Sequence, residues 1–428
     1  MSVKGLELAI DGGGPLRQEP LPLEFPGMHY LDEEEVQAVT RVLRSRSLFR
    51  YYGLNLQKEV EQFEEEFALF VGAKHALAVT SGTGALHSAM SALGLEPGRE
   101  VIIPAYLWVS VAASVVNHGG IPILGEIDRN FCLDPDDLER KISKSTVGIV
   151  LVHMSGAPGD AKRVQQIARK HRLWLVEDCA QCAGGTIDEQ SVGTFGDIGV
   201  FSFQMNKNMS SGEGGCLVTN DTRLYRRAMA AHDVGFARNQ DGRLILDDPD
   251  LRVWGKGYRM DELRAAVLRI QLRKLPKILS HMRTSKYRIR RGLEPYQQID
   301  LRQVIDSRGD TGAFLITSYR NKRTAQWVNQ ALRGEGIVPG PMGQSNIIMS
   351  DWGLHVYYNV AVLFERPGDG SSPLSPKGSR VPEFQKGTCP VADDLFERSI
   401  IMAIPSCLTE KDEEEILRAF DKVMLAIP

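Results

Sequence analysis

The sequence lacks any strong imbalance of charge. Its 51 lysines and arginines face 54 aspartates and glutamates, which gives a net charge of −3 at pH 7. Proteins that bind nucleic acids or acidic membrane surfaces usually carry a clear excess of positive charge. The charge therefore gives no reason to expect a nucleic acid or a membrane as a partner.

The sequence also lacks a recognisable targeting or membrane-spanning segment. No apolar run reaches the roughly 20 residues needed to cross a bilayer, and the N-terminus shows no basic stretch followed by an apolar one. Six cysteines are spread over 428 residues, which suits a reducing compartment better than a disulfide scaffold. We therefore expect a cytoplasmic protein, long enough for two or three domains.

Two common nucleotide-binding patterns are missing as well. Neither a GxGxxG fingerprint nor a lysine-bearing phosphate loop occurs in the chain. The glycine triplet at 12–14 is followed by several prolines, which favours an extended N-terminal arm over a phosphate site. Cys179 and Cys182 form a CxxC motif, but no second pair accompanies them, so we predict neither a metal nor a redox site there.

What the sequence does contain is an alternation of apolar strand-like runs with helical patterns. The runs lie at 75–79, 101–104, 121–124, 147–152, 173–176, 198–203 and 216–219. This alternation predicts an α/β fold with a mostly parallel central sheet sandwiched by helices, and the different mixture of elements beyond residue 280 predicts a smaller C-terminal α+β domain. We thus expect an N-terminal arm (1–30), a large domain (31–279) and a small domain (280–428).

Four features lie beside these strands, and each has a functional and a structural interpretation. Gly82 and Thr83 open a helix whose free N–H groups could bind an anion, or they could belong to a plain helix cap. Trp108 could stack on a flat ring or pack in the core. Asp178 could hold a cationic ring nitrogen or cap the next helix. Lys207 could act as an amine nucleophile if apolar walls lower its pKa, or it could be an ordinary loop lysine.

Taken together, the four features match the needs of one cofactor. Pyridoxal 5'-phosphate has a phosphate, a basic ring nitrogen and an aldehyde on a planar ring. Asp178 would keep the ring nitrogen protonated, and Lys207 would hold the aldehyde as a Schiff base and later move the proton. The sequence therefore predicts a pyridoxal phosphate site at the carboxyl edge of the sheet.

Five motifs in this order resemble the DegT/DnrJ/EryC1/StrS family of sugar aminotransferases, which are fold type I enzymes dependent on pyridoxal phosphate. The motifs are VTSGTGAL, PAYLWVS, VEDCAQCAGG, FSFQMNKNMSSGEGG and GYRMDELRAAV. The resemblance implies that Lys207 is the Schiff-base lysine, that Asp178 pairs with the pyridinium nitrogen and that Gln181 reaches the ring hydroxyl. It further implies a phosphate site made by Gly82, Thr83 and Ser202, with Trp108 stacked on the ring.

One motif departs from the family pattern. Where the family often has G-x-N-Y-R-M, with an asparagine that reaches the phosphate in the neighbouring subunit, this chain has Gly257. The resemblance implies a homodimer, but the contact across the subunits is missing or is replaced, for example by Lys256.

The resemblance implies transfer of an amino group from glutamate or glutamine to a keto sugar or ketocyclitol, as in amino-sugar or aminoglycoside-type antibiotic biosynthesis. Alternatives are a dehydratase or aromatising synthase of the same family, or a regulator that has lost turnover. The family's sugar dehydratases carry histidine at the position of Lys207, which argues against them. The acceptor itself is not readable from the loops at 49–53, 232–249 and 366–381.

Overall fold

A computed structural model describes residue 5 and residues 7–239, 241–340, 343, 345–363 and 383–427. The whole of the predicted loop at 366–381 therefore lies outside the described residues. In the part that is described, no helix combines the length and apolarity needed to cross a membrane.

The central sheet confirms the predicted α/β fold. Within the described residues it has seven strands, which are β1 (His75–Val79), β2 (Glu100–Pro104), β3 (Ile121–Gly125), β4 (Thr146–Val152), β5 (Trp174–Asp178), β8 (Ile198–Ser202) and β9 (Gly215–Thr219), with a small hairpin of β6 (Thr186–Ile187) and β7 (Gln190–Ser191) between β5 and β8. Their order across the sheet is β1-β9-β8-β5-β4-β2-β3. Strands β8, β5, β4, β2 and β3 run parallel, while β9 is antiparallel to both β1 and β8.

Helices connect and cover these strands. Most strand residues are fully buried, which is expected for a sheet packed on both faces. The helices of this part are α1 (Glu33–Ser45), α2 (Glu59–Val71), α3 (Gly82–Leu93), α4 (Ser110–Val116), α5 (Pro135–Lys141), α6 (Ala161–His171) and α7 (Thr222–His232). Because β2, β4, β5 and β8 are parallel, their carboxyl ends meet at one edge, where the residues that follow them can form a site.

The long helix α8 (Glu262–Leu293) connects the central sheet to the C-terminal part. Asp261 caps its first turn by accepting a hydrogen bond from the Arg264 N–H at 3.0 Å. The sequence predicts this cap, but the predicted helix stops near 275, whereas the observed helix continues through Pro276. Buried Leu279 and Met282 beyond the proline stabilise the continuation. The predicted domain boundary at 279/280 lies inside this helix.

A smaller antiparallel sheet follows, in the strand order β10-β11-β13-β12. It agrees with the short strands predicted beyond residue 280. Its elements are β10 (Asp300–Leu301), β11 (Phe314–Ser318), α9 (Lys322–Gly334), β12 (Ile347–Ile348), α10 (Pro390–Arg398), β13 (Ser399–Ala403) and α11 (Glu410–Leu425).

The N-terminal segment crosses this small sheet before it reaches the large one. Leu8 and Leu21 are buried in the hydrophobic cluster of the small sheet. Arg17, only 9% exposed, donates to Asp412 and Glu415 of α11, both at 2.7 Å. The backbone N–H of Gly27 then donates to the carbonyl of Lys207 at 3.2 Å. The segment thus links the small sheet to the loop that carries the lysine.

Candidate active site

The loop of Lys207 begins where β8 ends. Its backbone is held by hydrogen bonds from the Lys207 N–H to the Gln204 carbonyl at 3.0 Å and from the Phe203 N–H to the Gly214 carbonyl at 2.8 Å. The buried Asn208 side chain donates to the carbonyl of Ala183 at 3.0 Å. Neighbours on both sides therefore fix the position from which the lysine side chain extends.

The partly buried amine of Lys207 lies within electrostatic reach of Asp178. Burial lowers the pKa of Lys207, although attraction to Asp178 and Glu213 opposes that shift. Burial raises the pKa of Asp178, which is opposed by an N–H donated from Ala180 and by the charges of Lys207 and His153. Among the described residues, Asp178 and Glu213 act on the Lys207 amine through their charge and not through a hydrogen bond. The amine is therefore close to an acid without being tied to it.

The helix α3 begins with a narrow polar turn. Ser81 caps it by accepting a hydrogen bond from the Gly84 N–H at 3.0 Å. A side chain at Gly82 would place its Cβ 2.8 Å from the Cβ of Ser202, so only glycine allows these two segments to approach so closely. The Thr83 Oγ1 lies 2.8 Å from the Oγ of Ser110, at the start of α4. Free N–H groups and the hydroxyls of Thr83, Ser110 and Ser202 thus surround one helix N-terminus, an arrangement suited to a phosphate.

Trp108 is 42% exposed and faces the same space. Its ring lies 4.9 Å from that of His355, and His355 in turn stacks on Trp352 with ring centroids 4.0 Å apart. The Leu107 N–H donates to the His355 carbonyl at 3.1 Å, so the backbone holds the two segments together. Trp108 is therefore not packed in the core, which was the structural alternative at this position.

Gln181 is held at both ends of its amide. Its Oε1 accepts a hydrogen bond from the Ser155 N–H at 2.9 Å, and its Nε2 lies 3.2 Å from the Nε2 of His355. Ser155 is fully buried and has a left-handed backbone with φ +51°, a conformation that costs a non-glycine residue roughly 1–3 kcal/mol. The Tyr106 hydroxyl, 2.7 Å from the Ser155 Oγ, and Arg302, which donates to the Ser155 carbonyl, hold it there.

All seven predicted site residues line one cavity of about 280 Å³. They are Gly82, Thr83, Trp108, Asp178, Gln181, Ser202 and Lys207. A second chamber of about 250 Å³ extends to arm residues 24–26 and to β13. It shares five lining residues with the first, which are Trp108, Gln181, Asn206, Lys207 and His355. The structure therefore brings the predicted residues together, while their roles toward a ligand stay predictions.

Sequence reasoning missed three residues of this site. Ser110 is the last residue of the PAYLWVS motif and the first of α4, so the sequence could have indicated that it lies at the site. Ser155 and His355 carry no local signal, because they reach Gln181 only through the folding of distant segments.

The CxxC motif lies beneath the cavity. Cys179 and Cys182 are free and buried, and burial raises the pKa of both thiols. Ligand-type atoms of His153, Glu177 and Cys179 lie within 4.8 Å of one another. The Glu177 carboxylate already accepts hydrogen bonds from His153 and from the backbone N–H groups of residues 193, 195 and 196. This cluster therefore stabilises the end of β5, next to Asp178.

The loops at 49–53 and 232–249, which we expect to contribute groups that bind the substrate, pack on each other beside α3. Asp233 is buried and accepts hydrogen bonds from Arg238 and Arg259, both at 2.6 Å. The guanidinium of Arg238 lies 4.2 Å from the ring centre of Tyr51. Gly257, in the same region, has φ +72°, and a Cβ at this position would meet none of the described atoms within 4 Å. The departure from the family motif thus lies at an open position.

The residues present fit a pyridoxal phosphate group. Gly82 lets the start of α3 approach Ser202 closely, so that backbone N–H groups and hydroxyls are available to a phosphate. Asp178 offers an acid for a ring nitrogen, and Lys207 offers an amine for an aldehyde. Each group stands in the same cavity, as one small ligand requires.

Comparison with known proteins agrees with this geometry. The model of the DegT/DnrJ/EryC1/StrS aminotransferase family matches residues 29–340. A Micromonospora echinospora protein, L-glutamine:2-deoxy-scyllo-inosose aminotransferase, is 30% identical over 97% of this chain and 97% of its own. A second protein of that organism, provisionally named an L-glutamine:3-amino-2,3-dideoxy-scyllo-inosose aminotransferase, is 39% identical over 62% of this chain. The chain spans only 61% of that relative's length.

Solved structures show the same fold. An aminotransferase from Psychrobacter cryohalolentis is 28% identical, with a TM-score of 0.76 over 96% of this chain and 100% of that one. A provisionally named sugar aminotransferase from Streptococcus pneumoniae has a TM-score of 0.75 over 96% of this chain and 100% of that one, at 20% identity. It has been solved in PLP and PMP forms.

Proposed function

The chain belongs to the DegT/DnrJ/EryC1/StrS aminotransferase family, and on this premise we propose that it is a pyridoxal phosphate-dependent aminotransferase acting on a keto sugar or ketocyclitol. The observation that carries the proposal is the meeting of Lys207, Asp178 and the polar start of α3 in one cavity. A plain two-domain protein would have no reason to hold a lysine of lowered pKa beside a buried acid.

Each residue of the cavity has a defined task in this proposal. The N-terminus of α3 and the hydroxyls of Thr83 and Ser202 bind the phosphate, and Trp108 covers one face of the ring. Asp178 accepts a hydrogen bond from the protonated ring nitrogen, and Gln181 donates to the ring oxygen. When bound, pyridoxal phosphate supplies an electron-accepting ring that stabilises the charge left when a C–H bond next to nitrogen breaks.

Lys207 has two tasks. Its Nζ would hold the aldehyde carbon of the cofactor, and the same amine, once free, would accept and return a proton as a general base. Burial lowers the pKa of Lys207, so more of the amine is neutral and able to accept a proton. Glu213, at the cavity lining, adds a negative charge that favours the protonated form afterwards.

We propose glutamine or glutamate as donor and a ketocyclitol or keto sugar as acceptor, in amino-sugar antibiotic biosynthesis. The names of the two Micromonospora echinospora relatives, both L-glutamine aminotransferases of an inosose, support this choice. The second chamber supports it too, because Phe25, Phe314 and Trp352 line it beside the lysine and can pack against a six-membered ring.

We also propose a homodimer in the cytoplasm. Trp254 is 94% exposed, Leu54 is 99% exposed and Tyr52 is 70% exposed, and all three lie on or next to the packed loops beside α3. Such side chains are usually covered by a partner. Sedimentation equilibrium tests this proposal: a dimer supports it, and a monomer at micromolar concentration contradicts it.

A half-reaction assay tests the function. The protein loaded with pyridoxal phosphate is mixed with glutamine, and the visible absorbance of the lysine-bound cofactor should fall and a keto acid should appear. A ketocyclitol that restores the absorbance identifies the acceptor class. Release of water with an aromatic product and no need for a donor would favour the aromatising synthase. A protein that never acquires the absorbance would favour the regulator.

A further inference from the structure

His355 lies at the boundary between the two chambers and contacts residues of both. It belongs to the linings of both cavities, together with Gln181, Trp108 and Lys207. It comes from a segment more than 170 residues away from Gln181 in sequence. Its ring stacks on Trp352 and makes a tilted contact with Trp108. Because His355 contacts the amide of Gln181 and lines both chambers, it is the strongest unassigned group near the site.

The hydrogen bonds through His355 and Gln181 have only one possible direction. At one end, the backbone N–H of Ser155 can only donate, so it must meet the oxygen of the Gln181 amide. At the other end, the carbonyl of Trp352 can only accept, so the His355 Nδ1, 3.1 Å away, must carry the hydrogen. The Nε2 of the neutral ring is then an acceptor, and it takes a hydrogen from the Gln181 Nε2 at 3.2 Å.

This direction leaves one hydrogen on the Gln181 Nε2 for the cavity. The Ser155 N–H fixes the amide with its oxygen toward Ser155, so the remaining hydrogen of the NH₂ group is the donor that Gln181 offers the cavity. We propose that His355 is a positioning residue that holds Gln181 in this orientation, so that the site favours the anionic form of the cofactor's ring oxygen. The inference rests on the proposed function and adds a residue that acts through Gln181 rather than on the ligand itself.

The surroundings of His355 agree with a neutral ring. Burial and the nearby charge of Lys207 lower its pKa to about 3. The other charged groups that face this space are Asp178 and Glu213 at the lining of the first chamber and Glu24 at the lining of the second. A protonated ring would place two N–H groups against each other at the Gln181 contact, and reversing the amide would bring its NH₂ against the Ser155 N–H.

The test uses a pH titration of the visible absorbance of the intact protein loaded with pyridoxal phosphate. A donor to the anionic ring oxygen lowers the apparent pKa of the bound cofactor, so its loss raises that pKa. His355→Phe keeps a ring against Trp352 but removes the acceptor, and we expect a rise of about one pH unit. His355→Gln restores an acceptor near the Nε2 position and should return most of the shift.

A double mutant separates positioning from a merely structural effect. In a Gln181→Ala background, His355→Phe should cause no further rise, because its effect runs through the missing amide. An equal rise in both backgrounds, or no rise in the single variant, would overturn the inference. If the phenylalanine variant does not fold, His355→Leu replaces it, since leucine also lacks an acceptor.

The outcome is separable from that of the proposed function. A wild-type protein that forms no lysine-bound cofactor would overturn both. A wild-type protein that shows the absorbance, with variants that leave its apparent pKa unchanged, would overturn the positioning role alone.

Discussion

Replacing Gly82 with alanine should weaken cofactor binding, because the added methyl group has no room. Its carbon would lie 2.8 Å from the Cβ and 3.2 Å from the Oγ of Ser202. Overpacking of this kind costs about 1–3 kcal/mol. The free protein can relax the contact, whereas phosphate binding needs both segments in place. We therefore expect about 5- to 150-fold weaker binding of pyridoxal phosphate, measured by fluorescence titration of the cofactor-free protein.

Two controls sharpen this prediction. Gly84→Ala adds the same methyl group two residues later, where the closest contact is 3.2 Å from the Tyr258 ring, and should have the smaller effect. In a Ser202→Gly background the crowded carbon is gone, so Gly82→Ala should cost much less than it does in the wild type. Unchanged affinity for Gly82→Ala, or the same loss in both backgrounds, would refute the reasoning.

Three further results are expected. Asp178→Asn should lower the rate of the glutamine half-reaction by at least about 100-fold while thermal unfolding stays cooperative; a rate near that of the wild type would contradict the assignment. Burial raises the pKa of Asp233, but two arginines outweigh it and lower that pKa. The ion pairs of Asp233 therefore stabilise the fold above pH ~4 and are lost as the pH falls below that value. Asp233→Asn should lose about 3 kcal/mol of stability at neutral pH and should show a weaker loss of stability in acid, measured by urea unfolding at several pH values. Arg17→Ala should destabilise the protein by about 2–3 kcal/mol. Lys411→Ala removes an exposed lysine that also faces Glu415, and it should change stability by less than about 0.5 kcal/mol. Equal effects of the two substitutions in a denaturant series would contradict the role of the arm.

Much of this fold is predictable because the strands are short apolar runs that end abruptly at polar residues. Asp178 and Ser202 are the last residues of β5 and β8, and in a parallel sheet such ends must share an edge. That geometric rule is why residues far apart in sequence could be assigned to one cavity. The motif around Gly82 adds a helix start, whose electrostatics follow from the backbone alone.

The parts that sequence could not provide depend on tertiary contacts. Pro276 signals the end of a helix, yet buried residues beyond it keep α8 intact. His355 stands in a segment of short turns with no periodicity, and the pairing of this segment with residues 105–107 brings it to Gln181. The left-handed conformation of Ser155 is likewise set by its neighbours, since serine has no strong preference for it.

The most direct test is to identify the atom that binds the cofactor. The protein is loaded with pyridoxal phosphate, reduced with borohydride, digested and analysed by peptide mass spectrometry. We expect a pyridoxyl phosphate group on Lys207, and we expect the corresponding peptide of Lys207→Ala to carry none. Modification of other lysines with Lys207 untouched, or no stable modification at all, would contradict this expectation.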